Sequence, residues 1–378
     1  MMRNVARLRA RPALKAFDGG SFAARTSPAT GGAPAPRPPE RDNNFDVLRL
    51  FAALLVIYGH AYALTGAAAP AFAGNGVHTI GVKIFFSISG YLVAASWLRD
   101  PDLLRYLIRR AVRIFPALAI VVLASAFVLG PLMTTLPLRS YFADPSTAFY
   151  LKNIVLYISY HLPGVFMTNP WPVAVNGSLW SLPAEFSMYL LLPATLGGVG
   201  LPRLRPVAFA AGTLVFCCVA VYFVRIAEPR APIVVYATNV WSWLEVAPYF
   251  LIGAVYAVGR LERFLNLPVA FIGLFALAVF ETGPAVKEAL LYMALPYGCL
   301  AFALERSRAL KVFVRAGDLS YGLFLYSFPV EQILAAFFGA RGGPWKTFLT
   351  ATLLSAILAY ASWHLVEKRA LQWKPGQR

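Results

Sequence analysis

From Phe45 onward, the chain is a succession of long apolar stretches separated by short polar or charged segments. A helix of about 20 residues crosses a hydrocarbon core about 30 Å thick, so each stretch predicts a membrane-spanning helix. The predicted fold class is an all-α membrane protein with ten spans. Their approximate ranges are 45–64, 79–97, 111–130, 178–198, 206–225, 237–258, 265–281, 286–304, 318–338 and 346–366.

A shorter apolar stretch at 149–159 contains Lys152, and we interpret it as an interfacial helix in an outer loop. Counting it as a span would invert the orientation of every later segment. With ten spans, 25 of the 34 basic residues fall in the terminal segments and the predicted inner loops, and six fall in the outer loops. Because cytoplasmic loops are enriched in Lys and Arg, both termini are predicted to be cytoplasmic.

Composition excludes several other classes. The chain has 378 residues, of which 59% are apolar and 13% charged, too few charges for the surface of a soluble domain. Its net charge of +17 is concentrated in the predicted inner segments, so we expect membrane lipids and no nucleic acid as partners. Cys217, Cys218 and Cys299 lie in apolar stretches, and neither a disulfide nor a metal site is expected.

The two ends of the chain differ from the membrane domain between them. Residues 1–41 hold eight basic and two acidic side chains among Ala, Pro, Gly and Ser, a composition that predicts disorder. No apolar stretch follows these charges closely, so a signal peptide is not predicted. Residues 42–370 form the predicted membrane domain, and 371–378 form a short basic cytoplasmic tail.

Ionisable residues within spans are costly, so they are the first candidates for function. The first span contains Arg49 and His60. Eleven residues are close to three helical turns, which places the two side chains within about 20° of one face and about 16 Å apart along the axis. In one interpretation, the two side chains line one path through the bundle. In the other, they have separate structural roles: Arg49 reaches lipid headgroups, and His60 forms a hydrogen bond with a neighbouring backbone group.

Further candidates lie at the third and fourth spans. Arg109, Arg110 and Arg113 crowd the inner start of the third span, where they follow the positive-inside rule and are also suited to binding phosphates. In the fourth span, Glu185 is predicted at a depth similar to that of His60. A carboxylate at this level can orient an imidazole and stabilise its positive charge. Trp180 and Tyr189 are weaker site candidates, because aromatic residues near an interface usually anchor the helix.

Several motifs together resemble the acyltransferase-3 family, which comprises bacterial integral-membrane O-acyltransferases that modify lipopolysaccharide, exopolysaccharide, lipo-oligosaccharide signals and some antibiotics. They occur in family order and cover about residues 42–370. They are FDVLRLFAALLVIYGH with Arg49 and His60, GVKIFFSISGYL at 81–92, the Arg109 to Pro116 stretch, SLWSLPAEFSMYL with Glu185, DLSYGLFLYSFPV at 318–330, and HLVEKR at 364–369.

The resemblance implies an acyl-CoA donor, with acetyl-CoA expected, that enters from the cytoplasm, and a glycan or glycolipid acceptor at the outer face of the bacterial inner membrane. In the family, the histidine matching His60 is essential, and the arginine matching Arg49 completes the motif. At the position of Lys83 many members carry an acidic residue, and at the position of Ser327 they carry a histidine. Roles attached to those two positions in the family therefore do not transfer to this chain. No permanently bound cofactor is expected.

These observations lead to a mechanistic hypothesis. His60 is either the general base or a transient acyl carrier, and Glu185 orients it if the two side chains meet. Arg49 and the three arginines of the third span are expected to bind the CoA phosphates. A transporter and a non-enzymatic scaffold are the alternatives, but the motif order and the lack of paired broken helices favour an enzyme.

Overall fold

The structure is a computed structural model that describes residues 43–197, 204–227, 231–305 and 317–375, together with positions 307, 310 and 312. The predicted disorder of residues 1–41 concerns a segment outside these ranges. Residues 376–378 of the predicted tail also lie outside them.

The described chain is predominantly helical, as the apolar pattern predicts. The α-helices are α1 (Phe45–Leu64), α2 (Val77–Arg99), α3 (Leu103–Ala124), α4 (Gly130–Met133), α5 (Leu138–Ala143), α6 (Pro145–Tyr150), α7 (Ser181–Gly197), α8 (Arg205–Val221), α9 (Val240–Gly259), α10 (Leu267–Val279), α11 (Pro284–Leu304), α12 (Ser320–Phe338), α13 (Gly343–Ser362) and α14 (Lys368–Ala370).

Short helical turns extend or join these helices. Three π-helical segments are Ser125–Leu129, Tyr222–Ile226 and Trp363–Glu367, and five 3₁₀ segments are Leu151–Val155, Gly177–Trp180, Leu261–Phe264, Gly339–Gly342 and Leu371–Trp373. Through such segments, α3 continues to Met133, α8 to Ile226 and α13 to Trp373.

Two small antiparallel hairpins are the β-structure of the described residues. Strands β1 (Ala71–Phe72) and β2 (Asn75–Gly76) pair directly before α2, and β3 (Val234–Val235) and β4 (Thr238–Asn239) pair before α9. Ala73 and Gly74 both have positive φ, as a two-residue hairpin turn requires. The first hairpin therefore places Asn75 next to the start of α2.

Each of the ten predicted spans corresponds to a helix. Among the described helices, eight are long and apolar enough to cross a membrane. Helices α7 and α10 are shorter, with 17 and 13 residues. The stretch at 149–159 has no spanning helix, because α6 ends at Tyr150 and the following 3₁₀ segment ends at Val155, before Leu156 with its φ of 64°. This result agrees with the prediction that 149–159 is not a span.

Helices α1 and α2 pack antiparallel and define the two ends of the bundle. Phe45 stacks on Tyr91 at a centroid distance of 5.8 Å, whereas His60 lies beside His78, with ring centroids 5.6 Å apart. We call the end near Phe45 and Arg49 the arginine end, and the end near His60 the histidine end. Because the two helices share these levels, a residue on α2 can be assigned to either end.

The segment before α7 enters the bundle instead of remaining in the outer loop. Asn169 donates to the carbonyl and side-chain oxygens of Gln332 at 2.9 and 2.6 Å, and Gln332 donates to the carbonyls of Trp171 and Ala174 at 2.8 and 2.6 Å. Farther along, Asn176 donates to the Leu325 carbonyl at 2.9 Å. Seven residues of α12 cover about 10 Å, so the descending segment 169–176 carries the chain inward before α7 begins.

Candidate active site

His60 lies in a buried pocket at the histidine end of the bundle. Its side chain is 6% exposed, and the Phe328 ring packs edge-on against it with centroids 5.0 Å apart. The nearest carboxylate belongs to Glu331 of α12, whose Oε2 is 3.8 Å from His60 Nδ1. Glu331 is completely buried. The sequence motif on α1 is therefore completed by an acid from α12.

The His60–Glu331 pair has unused hydrogen-bonding capacity. Neither His60 Nδ1 nor either Glu331 oxygen has a hydrogen-bond partner among the described residues. Buried polar groups are normally satisfied, and an exception at an ionisable pair within a membrane-spanning bundle indicates a functional site. A separation of 3.8 Å is too long for a hydrogen bond, but catalytic hydrogen bonds in enzymes without substrate are often long.

Glu331 was missed in the sequence analysis, although a signal for it was present. His60 and Glu185 became candidates because each is an ionisable residue within an apolar span. Glu331 lies within the predicted span 318–338 and directly follows the motif DLSYGLFLYSFPV. The sequence contains no information about which helix faces α1, so the pairing itself required the tertiary structure.

Glu185 does not meet His60, and the prediction of similar depth is wrong. Ser89 donates to Glu185 Oε1 at 2.5 Å, and the Tyr189 hydroxyl also donates to this oxygen. Ser89 lies eleven residues after His78 on α2, about 16 Å away along the axis. The Glu185 carboxylate is therefore at the arginine end. The physical reason is the descending segment 169–176, which causes α7 to begin inside the bundle.

At the arginine end, two predicted guanidinium groups converge on one carboxylate. Arg113 Nη2 is 2.5 Å from Asp318 Oδ2, and Arg49 Nη1, which donates to Asp46 at 2.7 Å, is 3.8 Å from the same Asp318 oxygen. Burial raises the pKa of Asp318, but Arg113, Arg49 and hydrogen bonds from Ser320 outweigh it and hold this pKa at about 2. Asp318 lies in the motif DLSYGLFLYSFPV, but no role was predicted for it from the sequence.

The other two predicted arginines have different surroundings. Arg109 Nη1 is 2.7 Å from Asp100, which also binds Arg105. Arg109 and Arg113 therefore do not share a partner, although they lie four residues apart on α3. Arg110 has no carboxylate partner among the described residues, and its Cζ lies 5.9 Å from the centre of the Tyr189 ring. Arg110, Tyr189 and Glu185 thus form a connected group at the arginine end.

Trp180 ends the 3₁₀ turn that leads into α7. Its side chain is partly buried against the core, and the structure gives it no hydrogen bond to the groups described above. Gly177, three residues earlier, lies against the Phe328 ring. The structure therefore places Trp180 after the descending segment and adds it to neither polar group.

A second buried polar cluster surrounds Lys83, which departs from the family pattern. Lys83 is completely buried, and its Nζ donates to Glu288 Oε1 at 2.9 Å and to Asn75 Oδ1 at 2.8 Å. Arg225 donates to Glu288 Oε2 and to Asn75 Oδ1, both at 2.7 Å. Tyr249 donates to Glu288 at 2.8 Å. Paired charges with additional hydrogen bonds explain how a lysine is accommodated here.

Comparison with known proteins identifies the family. The sequence pattern of the acyltransferase domain matches residues 42–366. An O-acetyl transferase of Shigella phage Sf6 is 29% identical over 343 residues, which cover 88% of this chain and 96% of the phage protein. Nodulation protein 10 of Rhizobium leguminosarum bv. viciae is 27% identical over 362 residues, which cover 87% of this chain and 93% of that protein. No solved structure matches the chain. The chain belongs to the acyltransferase-3 family and is a multi-pass membrane protein of that family.

Proposed function

We propose that the protein transfers an acyl group, with acetyl expected, from acyl-CoA at the arginine end to a hydroxyl of a glycan or glycolipid at the histidine end. The observation that carries this proposal is the position of two polar groups on one face of α1. His60 with Glu331 lies about 16 Å along the axis from Arg49 with its arginine and carboxylate neighbours. A long, flexible donor with a charged end and a reactive thioester end fits this separation.

The pair of His60 and Glu331 fits general-base chemistry. His60 Nδ1 faces Glu331, which leaves Nε2 to take the proton of the acceptor hydroxyl as the hydroxyl oxygen attacks the thioester carbonyl. A new C–O bond forms, the C–S bond breaks, and the thiolate leaves with the proton from His60. Glu331 stabilises the imidazolium between these steps. In the second route, Nε2 first takes the acyl group and then passes it to the acceptor.

The arginine end fits recognition of the charged part of the donor. Arg110 has no carboxylate partner among the described residues, whereas Asp318 occupies one side of Arg113 and Arg49. Guanidinium groups bind phosphates through charge and paired hydrogen bonds. We therefore assign the first phosphate contact to Arg110, with Arg113 and Arg49 adding contacts as they turn away from Asp318. Arg109 remains paired with Asp100 and is not assigned a phosphate contact.

The test measures CoA release by purified protein supplied with acetyl-CoA and a panel of surface glycans and methyl glycosides. His60→Gln should lower the turnover by about 10²–10⁴-fold, the range for loss of a general base, while acetyl-CoA binding persists. His161→Gln is the matched control, because His161 lies between α6 and α7 and is absent from the described contacts of His60 and Glu331.

Two results would contradict this function. The first is normal turnover in folded His60→Gln protein. The second is movement of an intact glycan across a vesicle membrane without CoA release, which would show that the protein is a transporter. Accumulation of acylated protein before acceptor is added would support the acyl-histidine route.

A further inference from the structure

A second histidine faces His60 from the start of α2. The His78 ring is tilted by 35° to the His60 ring, with centroids 5.6 Å apart, and His78 Nδ1 is buried with no hydrogen-bond partner among the described side chains. Glycines on both sides allow this approach. A Cβ atom at Gly59 would lie 2.7 Å from His78 Cβ, and one at Gly76 would lie 2.7 Å from His78 Cε1. The local packing thus brings a second imidazole to the site.

The hairpin before α2 holds His78 in place. Asn75 accepts hydrogen bonds from Lys83 and Arg225 and donates to Glu288 at 3.1 Å. Three of these four residues are almost completely buried, so the hydrogen bonds that hold the turn are shielded from water. His78 therefore has a rigid support on the side away from His60.

Glu245 of α9 is the one carboxylate of this cluster that retains free acceptor capacity. Its Oε1 is 3.6 Å from Lys83 Nζ, and it accepts no hydrogen bond from the described residues. The Glu245 side chain is 28% exposed, whereas its cluster partners Lys83 and Glu288 are 0% and 1% exposed. Lys83 thus stabilises the charge of Glu245, while its carboxylate oxygens have no donor among the described residues.

Helix packing places Glu245 at the histidine end. Gly253 of α9 lies against the Ser87 carbonyl of α2, and Lys83 lies over the Tyr249 ring at 5.0 Å. Tyr91, eight residues after Lys83, donates to Glu262 just beyond the end of α9, so α2 and α9 run parallel. Glu245, the sixth residue of α9, is therefore close to the level of His78, the second residue of α2.

We infer that His78 and Glu245 form an acceptor subsite that binds a second hydroxyl, next to the hydroxyl that is acylated. This inference rests on the proposed function and defines its substrate class as compounds with hydroxyls on neighbouring carbons. Glu245 accepts the hydrogen bond of the neighbouring hydroxyl, and His78 contacts the same group from the side of His60. Lys83 and Arg225 balance the charges of Glu288 and Glu245, so the subsite suits a neutral ligand rather than a phosphate.

The experiment uses the full-length protein, acetyl-CoA, and the methyl glycosides of glucose, galactose and mannose, each beside analogues that lack one hydroxyl. The wild-type KM should rise by about 10- to 100-fold when the hydroxyl next to the acylated position is removed, the range for a hydrogen bond to a charged group. Glu245→Gln should raise the KM for the intact glycoside by a similar factor and should lose most of the discrimination against the deoxy analogue. The KM for acetyl-CoA should stay within a factor of two, roughly the limit of such measurements.

Further variants keep the test decisive. Glu245→Asp retains the charge beside Lys83 but shortens the side chain, so it reports the same KM change if Glu245→Gln does not fold. His78→Gln should act mainly on the acceptor KM, whereas His60→Gln should act on turnover. Glu281→Gln is the control, because Glu281 is 86% exposed and pairs with Lys287.

The outcomes separate the two proposals. An unchanged acceptor KM and unchanged discrimination in folded Glu245→Gln or Glu245→Asp protein would overturn the subsite, even if His60→Gln abolishes turnover. If wild-type protein transfers no acetyl group to any hydroxyl compound, or His60→Gln retains full turnover, the proposed function itself fails.

Discussion

The partner of His60 is the most consequential detail at the scale of single residues. A carboxylate that stabilises an imidazolium must lie close to it and be shielded from water, because the interaction weakens with distance and with solvent. Glu331 meets both conditions at 3.8 Å and with no exposure. Glu185 does not meet the first condition, since its oxygen is bonded to Ser89 and Tyr189 at the arginine end.

This difference predicts unequal effects of two conservative changes. Glu331→Gln should lower turnover by about 10²–10⁴-fold, because the imidazolium loses its charge partner and tautomer control. Glu185→Gln should mainly weaken acetyl-CoA binding, through the Tyr189 and Arg110 group. Steady-state kinetics of both purified variants check this. A larger loss of turnover in Glu185→Gln than in Glu331→Gln would restore the original pairing hypothesis.

Asp318 predicts how acid affects stability. Its pKa of about 2 in the folded protein is below the ordinary value of 3.8, so the ionised form stabilises the fold. This stabilisation is fully present above about pH 4 and is lost as the pH falls toward 2. Asp318→Asn should lower the thermal unfolding temperature at pH 7 and should flatten its decline between pH 4 and 2. Thermal unfolding in detergent measures this, with Glu281→Gln as the control, and an unchanged decline would show that Asp318 is not the titrating group.

At the scale of helices, α2 and α9 form a close pair through two glycines. A Cβ atom at Gly90 would overlap the Phe250 carbonyl oxygen, and one at Gly253 would overlap the Ser87 carbonyl oxygen. Small residues at such positions let two backbones approach within a membrane. The pair matters for the proposed acceptor subsite because α2 carries His78 and α9 carries Glu245.

The glycine contact predicts a clear difference between two alanine substitutions. Gly253→Ala should destabilise the protein by about 1–3 kcal/mol or more, because the opposing atom is backbone and has little freedom to move. Gly273→Ala on α10 is the matched control, since no atom lies within 4 Å of the added Cβ and alanine favours the helix. Thermal unfolding should show a lower midpoint for Gly253→Ala alone. Equal midpoints would mean that the helices separate at little cost.

At the scale of the whole molecule, the polar groups are divided between two ends of an apolar bundle. Arg49, Arg113, Asp318 and Glu185 lie at one end, and His60, Glu331, His78 and Glu245 lie at the other. A reaction whose donor and acceptor come from opposite sides of a membrane requires this division. The positive-inside rule predicts that the arginine end faces the cytoplasm.

Cysteine labelling of intact cells tests this orientation. In a background with Cys217, Cys218 and Cys299 replaced by alanine, a membrane-impermeant thiol reagent should modify Ser140→Cys and should spare Arg263→Cys. Ser140 precedes α6 in the predicted outer loop, and Arg263 lies in the predicted inner loop between α9 and α10. Permeabilised cells provide the control, because both cysteines should then react. The reverse pattern in intact cells would invert the topology.

The helical class, the positions of the spans, and the shared face of Arg49 and His60 could all be predicted from the sequence. These properties depend on hydropathy and helical periodicity, which are local along the chain. The ordered motifs also identified the family before any contact was known, because their order is a property of the sequence. Even α10 (Leu267–Val279), the shortest of the ten helices, lies within its predicted range of 265–281.

Which acid faces His60, and where α7 begins, depends on long-range packing. The level of Glu185 depends on the descending segment 169–176, which is held by the side chain of Gln332, more than 150 residues away along the chain. The partner of His60 depends on α12 packing beside α1, and Asp318 gains its role when α3 approaches the same place. Such pairings arise from long-range packing, and neither hydropathy nor periodicity carries information about which helix faces which.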